Sequence, residues 1–348
     1  MKKGRSLVRI WSLVRRAFGV CTVVAMLAGC SQSQNQGGVP SVAAPGAIIR
    51  VPSDSPWSPG NQGRMPLGNH KSRIDAAAGR TLLYAAGDVS SYVFTTDGKV
   101  IGNITQTGTG ACSDKNGDVY FTEVNSIIEF AHGGTTPIAS YAVPGTAYSC
   151  SIDPTTGDLA AVVFCLTGCG ESVVVLTTPG MKVQSYSDSA LPSLLFCTYD
   201  TNGNLYVDGY SGSQFGLAEL PAGGSALQTI TVNQNIQYAG QIQWDGQYVA
   251  VTTTIHPAIE QVQVTGSTAS VVGTTLLTGV GSRATQSSLY RDKVAVPTGT
   301  KSRARSINIL FWKYPTGGYP VRTFTGFIGK GHAEITGVAF SLPPKTSR

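Results

Sequence analysis

Charge is scarce in this chain of 348 residues: only 13% are Asp, Glu, Lys or Arg. Histidine is scarcer, with four. No long stretch repeats apolar residues at helical spacing, which excludes a helical bundle. With 42 glycines and many Thr, Ser and Val residues, that absence argues for an all-β protein. No Ser-His-Asp spacing, phosphate-cradling glycine loop or zinc-ligand pattern is present, so the sequence carries no motif of those chemistries. The formal net charge of +6 does not point to nucleic acid. Six basic residues (Lys2, Lys3, Arg5, Arg9, Arg15 and Arg16) lie in the first 29 positions, where there is no acid. The remainder holds 19 basic and 19 acidic residues. A neutral domain lacks the electrostatic footprint of a nucleic-acid binder, and no such partner is expected.

What the chain has in quantity is one turn. Asp114-Lys115-Asn116-Gly117-Asp118 feeds the apolar run Val119-Tyr120-Phe121. The same arrangement returns at 153–160 and 200–207, in shorter form at 244–249, and in degenerate form at 290–295. Gly117, Gly157, Gly203 and Gly246 are separated by 40, 46 and 43 residues, and Asp292 follows 46 residues after the last. That is the period of a four-stranded propeller blade.

Each repeat divides into four apolar runs. The second runs fall at 82–86, 118–122, 158–163, 204–208, 247–252 and 293–297. Third runs fall at 92–95, 126–131, 172–176, 216–220, 259–264 and 307–313, several of them ending at a glycine-bearing hairpin turn. The run at 82–86 has no first-run partner upstream, and the C-terminus has a spare one at 334–340. The expected fold is therefore a six-bladed β-propeller over residues 74–343, with a short tail at 344–348. The C-terminal strand pairs into the N-terminal blade and leaves no open inner edge. Asp200-Thr201-Asn202-Gly203-Asn204-Leu205-Tyr206-Val207 resembles the once-per-blade segment of bacterial NHL, gluconolactonase-like and YVTN-type propellers. The resemblance covers most of the chain. It implies architecture, because this fold carries lactonases, lyases and binding platforms alike.

The first 29 residues have a basic start, an apolar stretch from Ala17 to Leu27, and then Leu27-Ala28-Gly29-Cys30. The apolar stretch is shorter than the ~20 residues that span a bilayer. The segment resembles a bacterial lipoprotein signal peptide, which implies that the Cys30 thiol takes the lipid. Arg15-Arg16 also resembles the core of a twin-arginine signal; the general secretory route is the default. Ser31 after the lipidated cysteine implies the outer membrane by similarity to enterobacterial sorting. Residues 30–73, rich in Gln, Asn, Gly, Pro and Ser, read as a flexible tether. Within it, Ile48-Ile49-Arg50-Val51 suits a short strand lying on the domain.

Five cysteines remain beyond Cys30. Cys165 and Cys169, in one loop of blade three, suit a disulfide in an oxidising compartment, with free thiols as the alternative. Cys112, Cys150 and Cys197 fall in first runs. Adjacent inner strands diverge in a propeller, and a disulfide needs Cα atoms within about 7 Å, so these three are expected as small buried hydrophobes.

The rim where the chain enters first runs and leaves second runs gathers the candidate ligand-binding residues Asp88, Glu123, Asp208, Arg283, His332 and Glu334. Tyr148, Tyr238 and His256 share that rim. Three carboxylates there suit Ca²⁺ or Mg²⁺, and His332 with Glu334 suits an acid–base pair. No catalytic residue and no obligatory cofactor or metal is assigned. Two functions follow. One is a cell-envelope lipoprotein whose propeller is a binding or scaffolding platform for a protein or glycan. The other is a metal-dependent lactonase- or lyase-like enzyme at the channel mouth, the latter by the resemblance of Tyr120-Phe121-Thr122-Glu123 to the streptogramin-lyase blade motif. The only membrane contact expected is the N-terminal lipid. Replacing Cys30→Ser should abolish incorporation of radiolabelled fatty acid and release an unprocessed or soluble form; label retained by that variant would refute the lipidation reading.

Overall fold

The computed structural model describes residues 48–49, 79–164, 171–178, 180–279, 286–298, 306–327 and 334–344. Every regular element among them is a strand. In chain order these are β1 (Ile48–Ile49), β2 (Leu82–Gly87), β3 (Ser91–Thr95), β4 (Val100–Ile104), β5 (Gly110–Ser113), β6 (Val119–Thr122), β7 (Val124–Phe130) and β8 (Pro137–Ile152). There follow β9 (Leu159–Phe164), β10 (Glu171–Thr177), β11 (Lys182–Tyr186), β12 (Ser193–Tyr199), β13 (Leu205–Ser211), β14 (Gln214–Leu220), β15 (Gln228–Val232) and β16 (Ala239–Trp244). The last are β17 (Val249–Thr253), β18 (Ala258–Thr265), β19 (Thr268–Leu276), β20 (Ser288–Tyr290), β21 (Lys293–Thr298), β22 (Ser306–Lys313), β23 (Arg322–Phe327) and β24 (Ile335–Ser341).

Hydrogen bonding gathers them into four sheets built from six four-stranded antiparallel meanders. Unit one is β24-β2-β3-β4, so the C-terminal strand does pair with the first hairpin, from Leu82 opposite Ser341 to Gly87 opposite Ile335. Units two and three share β8. Its first half pairs with β7 and its second half with β9, so one 16-residue strand replaces the two separate runs that the sequence pattern suggests. Gly145 permits this: a Cβ there would lie 2.3 Å from the Phe164 carbonyl oxygen. Units four (β12–β15) and five (β16–β19) join at their outer edges through parallel pairing of β15 with β19, which covers part of two edges. Unit six is β20–β23. The two-residue strand β1 lies antiparallel on β8, Ile48 opposite Tyr141 and Ile49 opposite Ser140.

The second strands are buried on both faces, as in β2, β6 and β17, because each is sandwiched between neighbouring sheets. Outer strands such as β11 stay partly exposed. Apolar clusters fill the gaps between units. Tyr84, Val93, Phe121 and Phe130 pack between units one and two, and Phe94, Phe311, Phe324 and Phe340 between units one and six. The repeated aspartate is a turn-former. Asp114 Oδ1 accepts the amides of Asn116 and Asp118 at 2.9 and 2.8 Å. Asp200 Oδ1 accepts those of Asn202 and Asn204, and Asp245 Oδ1 those of Gln247 and Tyr248. Gly117 closes its turn at φ +89°, hard against the Leu342 carbonyl, where a side chain could not fit.

Neighbouring inner strands form no ladder with each other; side-chain links join each successive pair, two of them between β8 and β12, where Ser149 Oγ also donates to Leu195 O. Ser113 Oγ donates to Phe340 O at 2.7 Å, linking β5 to β24. Ser151 Oγ accepts from Tyr199 N (β8 to β12) and Thr198 Oγ from Trp244 N (β12 to β16). Gln243 Oε1 accepts from Leu289 N (β16 to β20), and Ser288 Oγ from Phe340 N (β20 to β24). The junction of β5 with β8 is covalent: Cys112 and Cys150 form a disulfide with Cα atoms 5.6 Å apart. This corrects the expectation of three free buried cysteines. Sheets diverge outward, but around a narrow channel the innermost strands come within disulfide reach. Among the described residues only Cys197 is free, and it is buried; burial pushes its thiol up to about 12. Cys165 and Cys169 lie outside the described residues. Replacing Cys112 and Cys150 together by alanine should lower the free energy of unfolding by about 2–4 kcal/mol, read from denaturant titration. An unchanged stability, or peptide mapping that finds both thiols free in the purified protein, would remove this junction.

Candidate functional site

The channel is asymmetric from end to end, and β-bulges make it so. The register shifts in β8 at Ala147/Ser149, in β12 at Leu194/Cys197, in β16 at Ala239/Ile242, and between β2 and β24 at Ala86/Gly87. Three lie toward the start of an inner strand and the one in β8 lies toward the start of its inner half, all on the upper rim, and a bulge re-aims the side chain it carries. Tyr148 meets the rings of Phe164 and Phe196 at centroid distances of 5.4 and 5.3 Å. Gln286, just before β20, donates from Nε2 to the carbonyls of Thr109 and Tyr148 at 2.8 and 2.7 Å. It therefore ties unit six to units two and three. Thr109 Oγ1 bonds Thr122 O and Ala147 O, and Thr336 Oγ1 bonds Ala86 O and Gly108 O. These groups form a septum across the upper channel.

Asp208 is the unusual member of this layer. The sequence places it at the end of a run; the structure places it inside β13, 1% exposed. It is the fourth residue of its strand, the position held by Thr122 in β6 and Thr252 in β17. Those threonines share hydroxyl hydrogen bonds with Thr109 and Ser287. Asp208 Oδ1 accepts from Phe196 N at 2.8 Å, while Oδ2 is buried without a partner. Burial holds its carboxyl well above the usual carboxylate range.

Other predicted residues stand on the surface of the upper rim. Asp88 and Glu334 meet: Asp88 Oδ1 accepts from Glu334 N at 2.7 Å, and Asp88 N donates to Glu334 O. Glu123 is half-buried in the neighbouring unit, and burial raises its carboxyl. Gly108 N bonds Gly87 O, and Thr109 N bonds Thr122 O, so the two turns are tied together. Beside these acids stand Val89 and Val124, each 56% exposed. Arg283 and His332 lie outside the described residues. Asp208, deep in unit four, joins neither surface group.

Toward the lower rim, where the aspartate turns lie, the channel widens into a cavity of about 280 Å³. All six inner strands line it, with Ser113, Ser151, Thr198, Gln241 and Gln243 among the polar contributors. A second hollow of similar size, walled by Asp200, Trp244 and Leu289, shares Ile152, Thr198, Gln243 and Leu289 with the first. Sequence reasoning passed over Gln241 and Gln286. The signal for the first was present: Gly240-Gln241-Ile242-Gln243 sets two amides in an inner run where other repeats have small or apolar residues.

No family model matches this chain, and no curated protein matches it. Solved structures do. One from a nidogen/laminin complex is similar over 76% of this chain and 99% of its own, with TM-score 0.58 and 14% identity. A protein of unknown function from Bacteroides caccae is similar over 75% and 99%, with TM-score 0.56 and 12% identity. At such identities the likeness shows the fold alone, an all-β, propeller-like architecture.

The raised Asp208 carboxyl has a pH signature. Its unfolded form ionises near pH 4, while the native form stays protonated. Native stability is therefore fully present below about pH 4 and falls as pH rises toward the native value. Asp208→Asn, an isostere of the protonated acid, should match the parent near pH 4 and melt at a higher temperature at neutral pH. Equal melting temperatures at both pH values would show that the carboxyl is not buried as described.

Proposed function

We propose that this chain is a lipid-anchored envelope protein whose six units close into a six-bladed propeller that binds another protein on its upper rim. Support for closure comes from the pairing of β24 with β2 and from inner-strand links at all six junctions. Anchoring rests on the sequence around Cys30, which lies outside the described residues.

The observation that carries the binding reading is the surface of units one and two. Val89 and Val124 project beside Asp88, Glu123 and Glu334, on turns linked by the backbone of Gly108 and Thr109. A rigid scaffold that presents apolar side chains rimmed by acids suits a partner with apolar and basic side chains. The septum beneath keeps that surface stiff, so little ordering is needed on association. A like fold in a complex of two proteins, nidogen and laminin, is consistent with protein binding. The enzyme alternative draws on no comparable observation: among the described residues no three His, Cys, Asp or Glu side chains come together in a metal-binding group.

A photo-reactive amino acid placed at position 89 or 124 should give a discrete crosslinked adduct in the producing cell. The same probe at Lys115, on the lower rim, should not. With the probe at position 89, Val124→Asp should abolish the adduct, and with the probe at position 124, Val89→Asp should do so, while the melting temperature is kept. Adducts formed from position 115 alone would put the partner on the other rim.

A further inference from the structure

We propose that the lower end of the channel is a binding site for a neutral polyhydroxylated ligand, of the size of a single sugar residue. The observations behind it are separate from those on the upper rim. The two lower hollows adjoin and share four residues, and each is about 280 Å³. Drug-sized ligands occupy pockets of ~300–1,000 Å³, so this space suits a smaller molecule.

Polarity selects the ligand's chemistry. Most hydroxyls of the lining are already used: Ser113, Ser151, Thr198 and Ser288 hold the inner strands together. Two groups are not. Gln241, 3% exposed at the bulge of β16, has a buried amide oxygen with no hydrogen-bond partner. Trp244, in the same strand, has a buried indole N–H with no partner. A buried polar group left unpaired is costly, and a buried tryptophan N–H ordinarily finds an acceptor. One orphan needs a donor and the other an acceptor. Gln241 lines the first hollow and Trp244 the second, so the hydroxyls of a ligand that spans the adjoining hollows would supply each.

Charge argues against the alternatives. Among the described lining residues there is no lysine, arginine or histidine to hold an anion. The two acids, Asp114 and Asp200, turn both carboxylate oxygens back onto their own loops. Asp114 accepts Asn116 Nδ2 as well as two backbone amides, and Asp200 does the same with Asn204 Nδ2. A cation therefore finds no free carboxylate. Trp244, Leu289 and Tyr290 add apolar surface to the walls, which suits the C–H faces of a sugar ring.

The full-length protein would be titrated with glucose, galactose, mannose and N-acetylglucosamine, with glucuronate and glucosamine as charged controls, following tryptophan fluorescence and the melting midpoint. At least one neutral sugar is expected to raise the midpoint and change the fluorescence. Gln241→Leu and Trp244→Phe should each weaken that binding about three- to tenfold, the effect of one lost hydrogen bond. Val89→Asp and Val124→Asp should leave it untouched, which separates this site from the upper-rim reading. Maltotriose and chitotriose distinguish sources: tighter binding than the monomer assigns the end of a glycan, weaker binding a free sugar, and either supports the site. Because Gln241 lacks an internal partner, Gln241→Leu should keep or raise the melting midpoint without ligand. A fall would mean the amide is already satisfied and would overturn the proposal. So would tighter binding of a charged control, equal affinity in both variants, or no response to any neutral sugar.

Discussion

Everything in this fold depends on holding six inner strands side by side without backbone ladders between them. Each sheet satisfies its own main-chain groups, so cohesion at the channel falls to side chains. Five junctions use side-chain hydrogen bonds, two of them between β8 and β12, and the sixth uses the Cys112–Cys150 disulfide. A hydrogen bond contributes about 0.5–1.5 kcal/mol net and a disulfide about 2–4 kcal/mol, so the covalent junction is the strongest single link. Apolar clusters between units supply the bulk of the attraction, but they are non-directional. The polar links set which inner residue faces which. They also change how the channel's polarity is to be understood. Serines and threonines there are structural first, and a polar lining alone says nothing about a ligand.

Against that background the unpaired groups gain meaning. Gln286 is committed through its amide nitrogen to two carbonyls, which leaves its oxygen buried and unpartnered above Gly110. Asp208 keeps one oxygen unpartnered where two other units place threonine. An unsatisfied buried group costs about 1–3 kcal/mol. Asp208 lowers its own cost by staying protonated, at the expense of stability at neutral pH. Gln241 has no such recourse, since an amide cannot shed its polarity by taking a proton.

Much of the architecture was legible because it is local. Second and third runs such as 82–86 and 259–264 fall within β2 and β18, since alternation and turn chemistry act over a few residues. The spare run at 334–340 found its place on β2 for the same reason. What stayed hidden is lateral. The disulfide depends on how near β5 and β8 come, which no repeat pattern reports. The bulges that aim Tyr148 and Gln241 insert one residue into an otherwise regular run and leave no composition mark. The fusion of two runs into β8 rests on Gly145, a residue that reads equally well as a turn. Asp208 was picked out by type and misplaced by position: β13 runs to Ser211, three residues past the point where its counterpart β6 stops.

The two rims follow from one property of the chain path. Upper-rim turns join second to third strands and lead into the inner strands, and here the bulges crowd side chains inward. The septum of Tyr148, Gln286, Thr109 and Thr336 is the result. Lower-rim turns join first to second strands, and their aspartates fold back to cap their own backbone, drawing polar groups away from the channel. Space is thus consumed above and left open below. Among the described residues, the upper rim presents a surface of crowded side chains, while the opposite rim offers a recess whose two acids are turned onto their own loops. Binding at one rim need not disturb the other, because the septum lies between them.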